Sequence, residues 1–140
     1  MRYPGRMQVH PVALWHELAA SKKGEGLDAF LADEAVFISP VVHTPQRGKA
    51  ITKAYLSAAL HVFGNQSFRY VREIVGAQDA MLEFETEIDG IVVNGVDILK
   101  WNEAGQVIEF KVMLRPLKAV NLIHEQMGRM LAAAAQSRGA

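Results

Sequence analysis

The sequence predicts an α+β domain in which helices come first and a run of antiparallel strands follows. Three observations carry that reading. Apolar residues recur at helical spacing before residue 64, four stretches of period-two alternation follow at hairpin spacing, and a last amphipathic stretch begins at Pro116. Helices and strands segregated along a chain give α+β architecture rather than a parallel α/β fold. An antiparallel sheet that twists and curls around the helices forms a cone closed at one end, a natural pocket for a small molecule.

The elements follow in order. Leu14, Trp15 and Leu18 predict a helix from about Pro11 to Ala20, closed by the Ser-Lys-Lys-Gly-Glu-Gly run from Ser21. A short second helix is expected near Leu27 to Ala32. "EAVFIS" is a short strand ended by Pro40, and "VVHTPQRG" an extended segment punctuated by Pro45 and Gly48. From Lys49 to Phe63 the spacing of Ile51, Tyr55, Ala58 or Ala59, and Val62 returns to helix, with Gly64-Asn65 as its stop.

Four strands come next. "SFRYVREIVGA" is the first, with a turn at Gly76 to Asp79. "AMLEFETEI" alternates most cleanly, with Leu82, Phe84, Thr86 and Ile88 on one face and three glutamates on the other. Asp89-Gly90 is a two-residue turn that tolerates positive φ, so "IVVNGVDILKW" should return antiparallel. After the turn "NEAG", the strand "QVIEFKVMLRP" places Ile108, Phe110, Val112 and Leu114 opposite Glu109, Lys111, Met113 and Arg115. Pro116 opens a final helix with apolar residues at Leu117, Val120, Ile123, Met127 and Met130.

Composition limits the function classes. A chain of 140 residues is one domain, with a core over about 11–117 and a C-terminal helix over about 117–135. It can remove roughly two-thirds of its unfolded surface from water without a staple. Fifteen basic and fifteen acidic residues cancel, and the basic ones are scattered, so nucleic acid is not an expected partner. The absence of cysteine excludes thiolate metal sites, thiol nucleophiles and disulfides. His10, His16, His43, His61 and His124 form no HxH or HxxxH pair, and no metal or other cofactor is expected. "MRYPGRMQVHP" lacks the apolar run of a signal peptide and no stretch is long enough to span a membrane, so a cytoplasmic protein is the default.

Asp97 stands out because it interrupts "NGVDILKW". Strand parity puts it on one face with Val93, Leu99 and Trp101, while Val96 and Ile98 take the other. A strand aspartate is often exposed at an edge or bonded to a helix end. Buried without a cation, it would titrate above the ~3.9 of a free aspartate and become a general acid or hydrogen-bond donor. His43, after Pro40, is a second candidate for proton transfer near neutrality, although a loop histidine is commonly solvated. Tyr55 and Tyr70 could each send a hydroxyl into the cone or serve as aromatic core. Arg72 either points inward or, after a bulge, pairs outward with Glu83 or Glu85. Asn94-Gly95 suggests a bulge or a close backbone approach.

Two segments, "FLADEAVFISPVVHTPQRGKAI" and "GVDILKWNEAGQVIEFKVMLRP", together with the element order, resemble the SnoaL-like and ketosteroid-isomerase-like branch of the nuclear transport factor 2 superfamily. The resemblance runs from about Val12 to Leu117 and implies a cystatin-like α+β barrel. It places the isomerases' oxyanion-hole aspartate at Asp97; those enzymes are themselves the known case of a carboxylic acid kept neutral by an apolar site. Their proton-shuttling aspartate falls on Ser39, before Pro40, and their first-helix tyrosine on about Trp15. A serine is no base without a partner, so steroid isomerisation is not implied although the cavity is.

Parity and resemblance together give a candidate pocket in which Asp97 is joined by Leu82, Phe84, Leu99, Trp101, Phe110, Val112 and Leu114 from the strands. Trp15, Ser39 and Tyr55 come from the helical half. Two functions remain open: a cofactor-independent acid/base enzyme of isomerase, cyclase, dehydratase or hydrolase type using Asp97 with His43 or a tyrosine, and a non-catalytic protein that binds a small, largely apolar or amphipathic molecule or serves assembly. The outer sheet face carries Val96, Ile98, Lys100, Glu109, Lys111, Met113 and Arg115. That mixture suits a two-fold homodimer contact, the alternative being an ordinary amphipathic face on a monomer.

Overall fold

The computed structural model describes residues 10–21 and 24–139, with side chains placed to residue 136. The first nine residues of the N-terminal segment read for a signal peptide and the Lys22-Lys23 pair lie outside the described residues. Helix α1 (Pro11–Ser21), a 3-10 turn (Gly24–Gly26) and the short α2 (Leu27–Phe30) lead into strand β1 (Leu31–Ile38). A two-residue strand β2 (Gln46–Arg47), helix α3 (Lys49–Phe63), strands β3 (Arg69–Val75), β4 (Asp79–Ile88), β5 (Ile91–Trp101) and β6 (Val107–Arg115), and helix α4 (Leu117–Gly139) complete the chain.

The strands form one curved six-stranded sheet in the order β2-β1-β6-β5-β4-β3. All neighbours are antiparallel except β1, which runs parallel to β6. The sheet does not close on itself, so the expected barrel is an open, strongly curved sheet whose antiparallel part is the predicted four-strand meander. The helical half supplies the missing side.

Local chemistry accounts for the hairpins. Asp89 and Gly90 both adopt positive φ, 52° and 79°, and close the β4–β5 turn in the conformation its Asp-Gly pair favours. Ala80, Leu82, Phe84, Thr86 and Ile88 are buried on the inner face of β4, and Val93, Gly95, Asp97, Leu99 and Trp101 on that of β5. Buried Thr86 is tolerated because its hydroxyl meets Ser67 Oγ at 2.9 Å. At Gly95 a Cβ would lie 2.5 Å from Phe84 Cζ, so the glycine is there for a close approach and not for a bulge; the β4–β5 register is continuous through it.

Four expectations shift. Strand β1 begins at Leu31, not Glu34, because Leu31 joins the parallel ladder opposite Val107, and α2 stops at Phe30. Ile108 is the extra residue of a bulge between the Lys100–Glu109 and Trp101–Val107 pairs, so fully buried Val107 takes the inward place expected for it. On α3 the deepest stripe is Thr52, Leu56 and Leu60, while Ile51 is exposed. The helix is rotated by its first turn: Gly48 N–H donates to Ala35 O at 2.8 Å and Thr52 Oγ1 to the same oxygen at 3.2 Å. On α4, Leu117 is 73% exposed and the buried positions are Ala119 and Ile123.

The inner face carries two apolar clusters. One packs Trp15, Leu18, Leu27 and Phe30 against Leu82, Leu99, Phe110 and Val112. The other packs Val62, Ala119 and Ile123 against Phe84, Ile88 and Val93. Tyr70 and Leu114 touch both, so the seam between the clusters runs past Asp97.

Candidate functional site

Asp97 is set at the centre of the sheet, paired with Leu82 on β4 and Val112 on β6. It is 6% exposed and faces an inner cavity of about 50 Å³ bounded by Trp15, Leu56, Tyr70, Phe84, Phe110 and Val112, among others. Three side chains form a hydrogen-bonded chain there. The Trp15 indole N–H donates to the Tyr70 hydroxyl at 2.7 Å, and that hydroxyl donates to Asp97 Oδ2, also at 2.7 Å.

This arrangement determines the ionisation of Asp97. Removal from water raises its pKa from the ordinary 3.8 to about 7, while the Tyr70 and Trp15 donors pull the other way by favouring the anion. No Lys or Arg is ion-paired with it among the described residues. The Tyr70 hydroxyl is pushed well above its usual range, first by burial and then by the carboxylate beside it. Tyr70 therefore remains a donor at every ordinary pH, and Asp97 is divided between acid and anion near neutrality. In the acid form it has a proton to offer to an oxygen in the cavity.

Tyr70 faces inward while Arg72 does not because β3 is bulged between them. Tyr70 pairs with Phe84 and Arg72 with Glu83, leaving Val71 as the extra residue. The bulge turns Arg72 outward, where Nε lies 3.2 Å from Glu83 Oε1. At the solvent side of Tyr70, His16 packs edge-on to its ring at 5.1 Å and bonds Glu73 at 2.9 Å.

The sequence-predicted residues divide into four groups. Trp15, Phe84, Phe110 and Val112 line the inner cavity with Asp97. Ser39, Tyr55, Leu114 and, again, Val112 line a separate cavity of about 180 Å³ beneath α4. Leu82, Leu99 and Trp101 share the Asp97 face but are packed core that borders neither cavity. His43 is exposed on the segment between β1 and β2 and borders neither cavity, so the structure does not bring it to Asp97.

Ser39 has a structural task. Its Oγ accepts from Val41 N–H at 3.0 Å and Val42 N–H at 3.2 Å, which ties the turn after β1 together. Tyr55 stacks on Phe37 with ring centroids 4.9 Å apart. Among the described residues no three His, Asp or Glu side chains stand close enough to hold a metal. Of the two tyrosines whose hydroxyls could enter the cone, Tyr70, which the candidate pocket left out, is the one that joins Asp97. Its signal was the charged alternation "RYVRE", whose parity fails unless the strand bulges.

The sequence profile of the SnoaL-like domain family matches residues 12–110, which takes in Trp15, Ser39, Tyr70 and Asp97. The chain is similar to a solved steroid delta-isomerase from Pseudomonas aeruginosa, with 32% identity over 90% of this chain and 92% of that one and a TM-score of 0.84. An uncharacterised protein with a cystatin-like fold from Silicibacter pomeroyi DSS-3 superposes with a TM-score of 0.82 at 28% identity, over 90% of this chain and 88% of that one. The epoxide hydrolase/cyclase-like enzyme SalBIII, of pyran ring formation in salinomycin, shares the fold alone, with a TM-score of 0.60 at 14% identity over 75% of this chain and 88% of that one. No curated protein matches the sequence.

Proposed function

The chain belongs to the SnoaL-like family of the nuclear transport factor 2 superfamily, and on that premise we propose that it binds a small, largely apolar molecule in the cone, with Asp97 as the polar anchor for a ligand oxygen. The observation that supports this reading is the chain from Trp15 through Tyr70 to Asp97, ending at an apolar cavity. An unneeded buried carboxyl is costly to keep. Here it is held by a permanent donor, and its pKa near neutrality suits a group that donates to a carbonyl or epoxide oxygen and recovers the proton afterwards. In the enzymatic form of the proposal Asp97 is the general acid, Tyr70 positions it, and no cofactor takes part.

A second reading, a binding protein without turnover, is favoured by Ser39. It stands where the resemblance puts the isomerases' base, cannot serve as one alone, and is engaged by two backbone N–H groups. The inner cavity is also far smaller than a steroid, which argues for a smaller ligand than the Pseudomonas aeruginosa protein's name implies for that protein.

Carboxyl ¹³C NMR of Asp97, followed from pH 4 to 9 with and without phenol as a probe, tests the proposal. A midpoint near 7 that moves when phenol is added is the expected result. A midpoint near 3.8, or an Asp97 signal indifferent to phenol, would overturn it. Native mass spectrometry of the freshly purified protein then identifies any natural occupant by mass.

We also propose a homodimer through the outer sheet face. Met81, Val92 and Met113 are exposed there, and Ile98 stands between Met81 and Lys111 in the ladder. An apolar centre with Glu83, Lys100, Glu109 and Lys111 around it fits a self-complementary contact. No helix among the described residues is long and apolar enough to cross a membrane.

A further inference from the structure

Glu73 is a charged residue on the concave side of the sheet. Because Val71 is the extra residue of the bulge, Glu73 pairs with Leu82 and shares the face of Tyr70, which pairs with Phe84. A carboxylate beside buried Leu82 needs a polar partner, and α1 supplies one: His16 Nε2 lies 2.9 Å from Glu73 Oε1, the two side chains being 35% and 38% exposed. Trp15 and His16 are consecutive, about 100° apart around the helix. Trp15 turns in to the Tyr70 hydroxyl, and His16 lies edge-on to the Tyr70 ring. Two neighbours on α1 therefore hold one side chain of β3, at its hydroxyl and at its ring. The hold matters because β3 is the last strand of the sheet and is hydrogen-bonded to β4 alone.

Beyond Tyr70 is a surface cleft of about 300 Å³, to which His16, Asn65 and Arg69 bring polar groups. Ala19, Gly64, Phe68 and Tyr70 line both this cleft and the inner cavity of Asp97. Gly64 has no side chain and Ala19 only a methyl, so closure of the wall between them falls on two aromatic rings. Phe68 is stacked on Phe84 at 5.1 Å and meets Tyr70 edge-on. His16 meets Tyr70 from the helix side. Among the described residues no charged side chain other than Asp97 lines the inner cavity, and Arg69 is paired with Glu85 at 2.7 Å. Water admitted through the wall is thus what would change the surroundings of Asp97.

We propose that His16, anchored by Glu73, is a positioning residue: it holds the Tyr70 ring in the wall between the Asp97 cavity and the surface cleft, and so keeps water from entering at the α1–β3 side. Its functional consequence rests on the reading of Asp97 as the polar anchor, whose proton is retained in a dry cavity. The hold on Tyr70 does not depend on that reading.

Two NMR readouts separate this hold from general stability. Solvent exchange of the Trp15 indole N–H reports release of its Tyr70 acceptor, and the Asp97 carboxyl midpoint reports water at the carboxyl. His16→Ala should speed the exchange on the order of tenfold and lower the midpoint by about one pH unit, because readmitted water favours the anion. His16→Phe, which keeps a ring against Tyr70, should stay within about threefold of wild type in exchange. Glu73→Ala releases His16 and should move both readouts in the direction of His16→Ala, whereas Glu73→Gln keeps a hydrogen-bonding partner and should leave them at wild-type values. Where the wild-type midpoint lies near 7, either readout unmoved by His16→Ala overturns the proposal. So does a His16→Phe chain as altered as His16→Ala, or a Glu73→Gln chain whose midpoint shifts as far as that of Glu73→Ala, since charge alone would then be the cause. A wild-type midpoint near 3.8, with Trp15 exchange still speeded by His16→Ala, leaves the hold on Tyr70 standing and overturns the anchor reading of Asp97.

Discussion

Replacing Asp97 by asparagine should make the protein more stable at neutral pH and leave it nearly unchanged at pH 4. The folded-state pKa is raised from 3.8 to about 7, so between those values the folded chain retains a proton that the unfolded chain has released. In that window stability falls as pH rises, and above it the loss is complete. At 1.36 kcal/mol per pKa unit the whole effect is at most about 4 kcal/mol. Asparagine carries no charge at any pH and can still accept the Tyr70 hydroxyl at its amide oxygen. The stability difference, variant minus wild type, should therefore be near zero at pH 4, climb through pH 5 and 6, and level off above about pH 7.5. In urea, with a slope of ~2 kcal/mol per molar, the plateau corresponds to a midpoint shift of up to about 2 M. A difference flat from pH 4 to 8, or one that favours wild type more as pH rises, would refute the claim that burial governs Asp97.

Three further outcomes are expected. Tyr70→Phe removes the donor to Asp97 and leaves the Trp15 indole N–H without its acceptor, so urea unfolding should show a loss of about 1–3 kcal/mol at pH 8 and a smaller one at pH 4, with the Asp97 NMR midpoint moving upward. Gly95→Ala forces a methyl to 2.5 Å from Phe84 Cζ and 2.8 Å from Met113 O, and should lower thermal stability by about 1–3 kcal/mol. Sedimentation at micromolar concentration should give a dimer that Ile98→Asp together with Met113→Asp converts to the 15.5 kDa chain; a single species at the chain mass in wild type sinks the dimer, and a dimer that survives both changes lies on another surface.

How far the sequence could be read depended on which interactions are local. Period-two alternation located β4 and β5 and put Asp97 on the inner face, because pleating acts residue by residue and needs no knowledge of the partner strand. The parallel pairing of β1 with β6 was invisible, since nothing in "LADEAVFI" encodes which distant strand accepts its hydrogen bonds. The rotation of α3 was misjudged for a related reason. Ile51 is the more apolar residue, yet Thr52 is buried because its hydroxyl reaches Ala35 O across the fold.

The candidate site shows the same division, and with a consequence for mechanism. The sequence located the carboxyl and the indole, but which neighbour joins them depends on a bulge at Val71 that parts Tyr70 from Arg72. Without that extra residue Tyr70 and Arg72 would share a face, and an inward arginine would hold Asp97 as a permanent anion. The bulge therefore separates the two: Tyr70 stays beside Asp97 as a neutral donor while the cation goes out to Glu83. A carboxyl so placed retains its choice between acid and anion near neutrality. That choice is the property a proton donor needs and an ion-paired structural aspartate lacks.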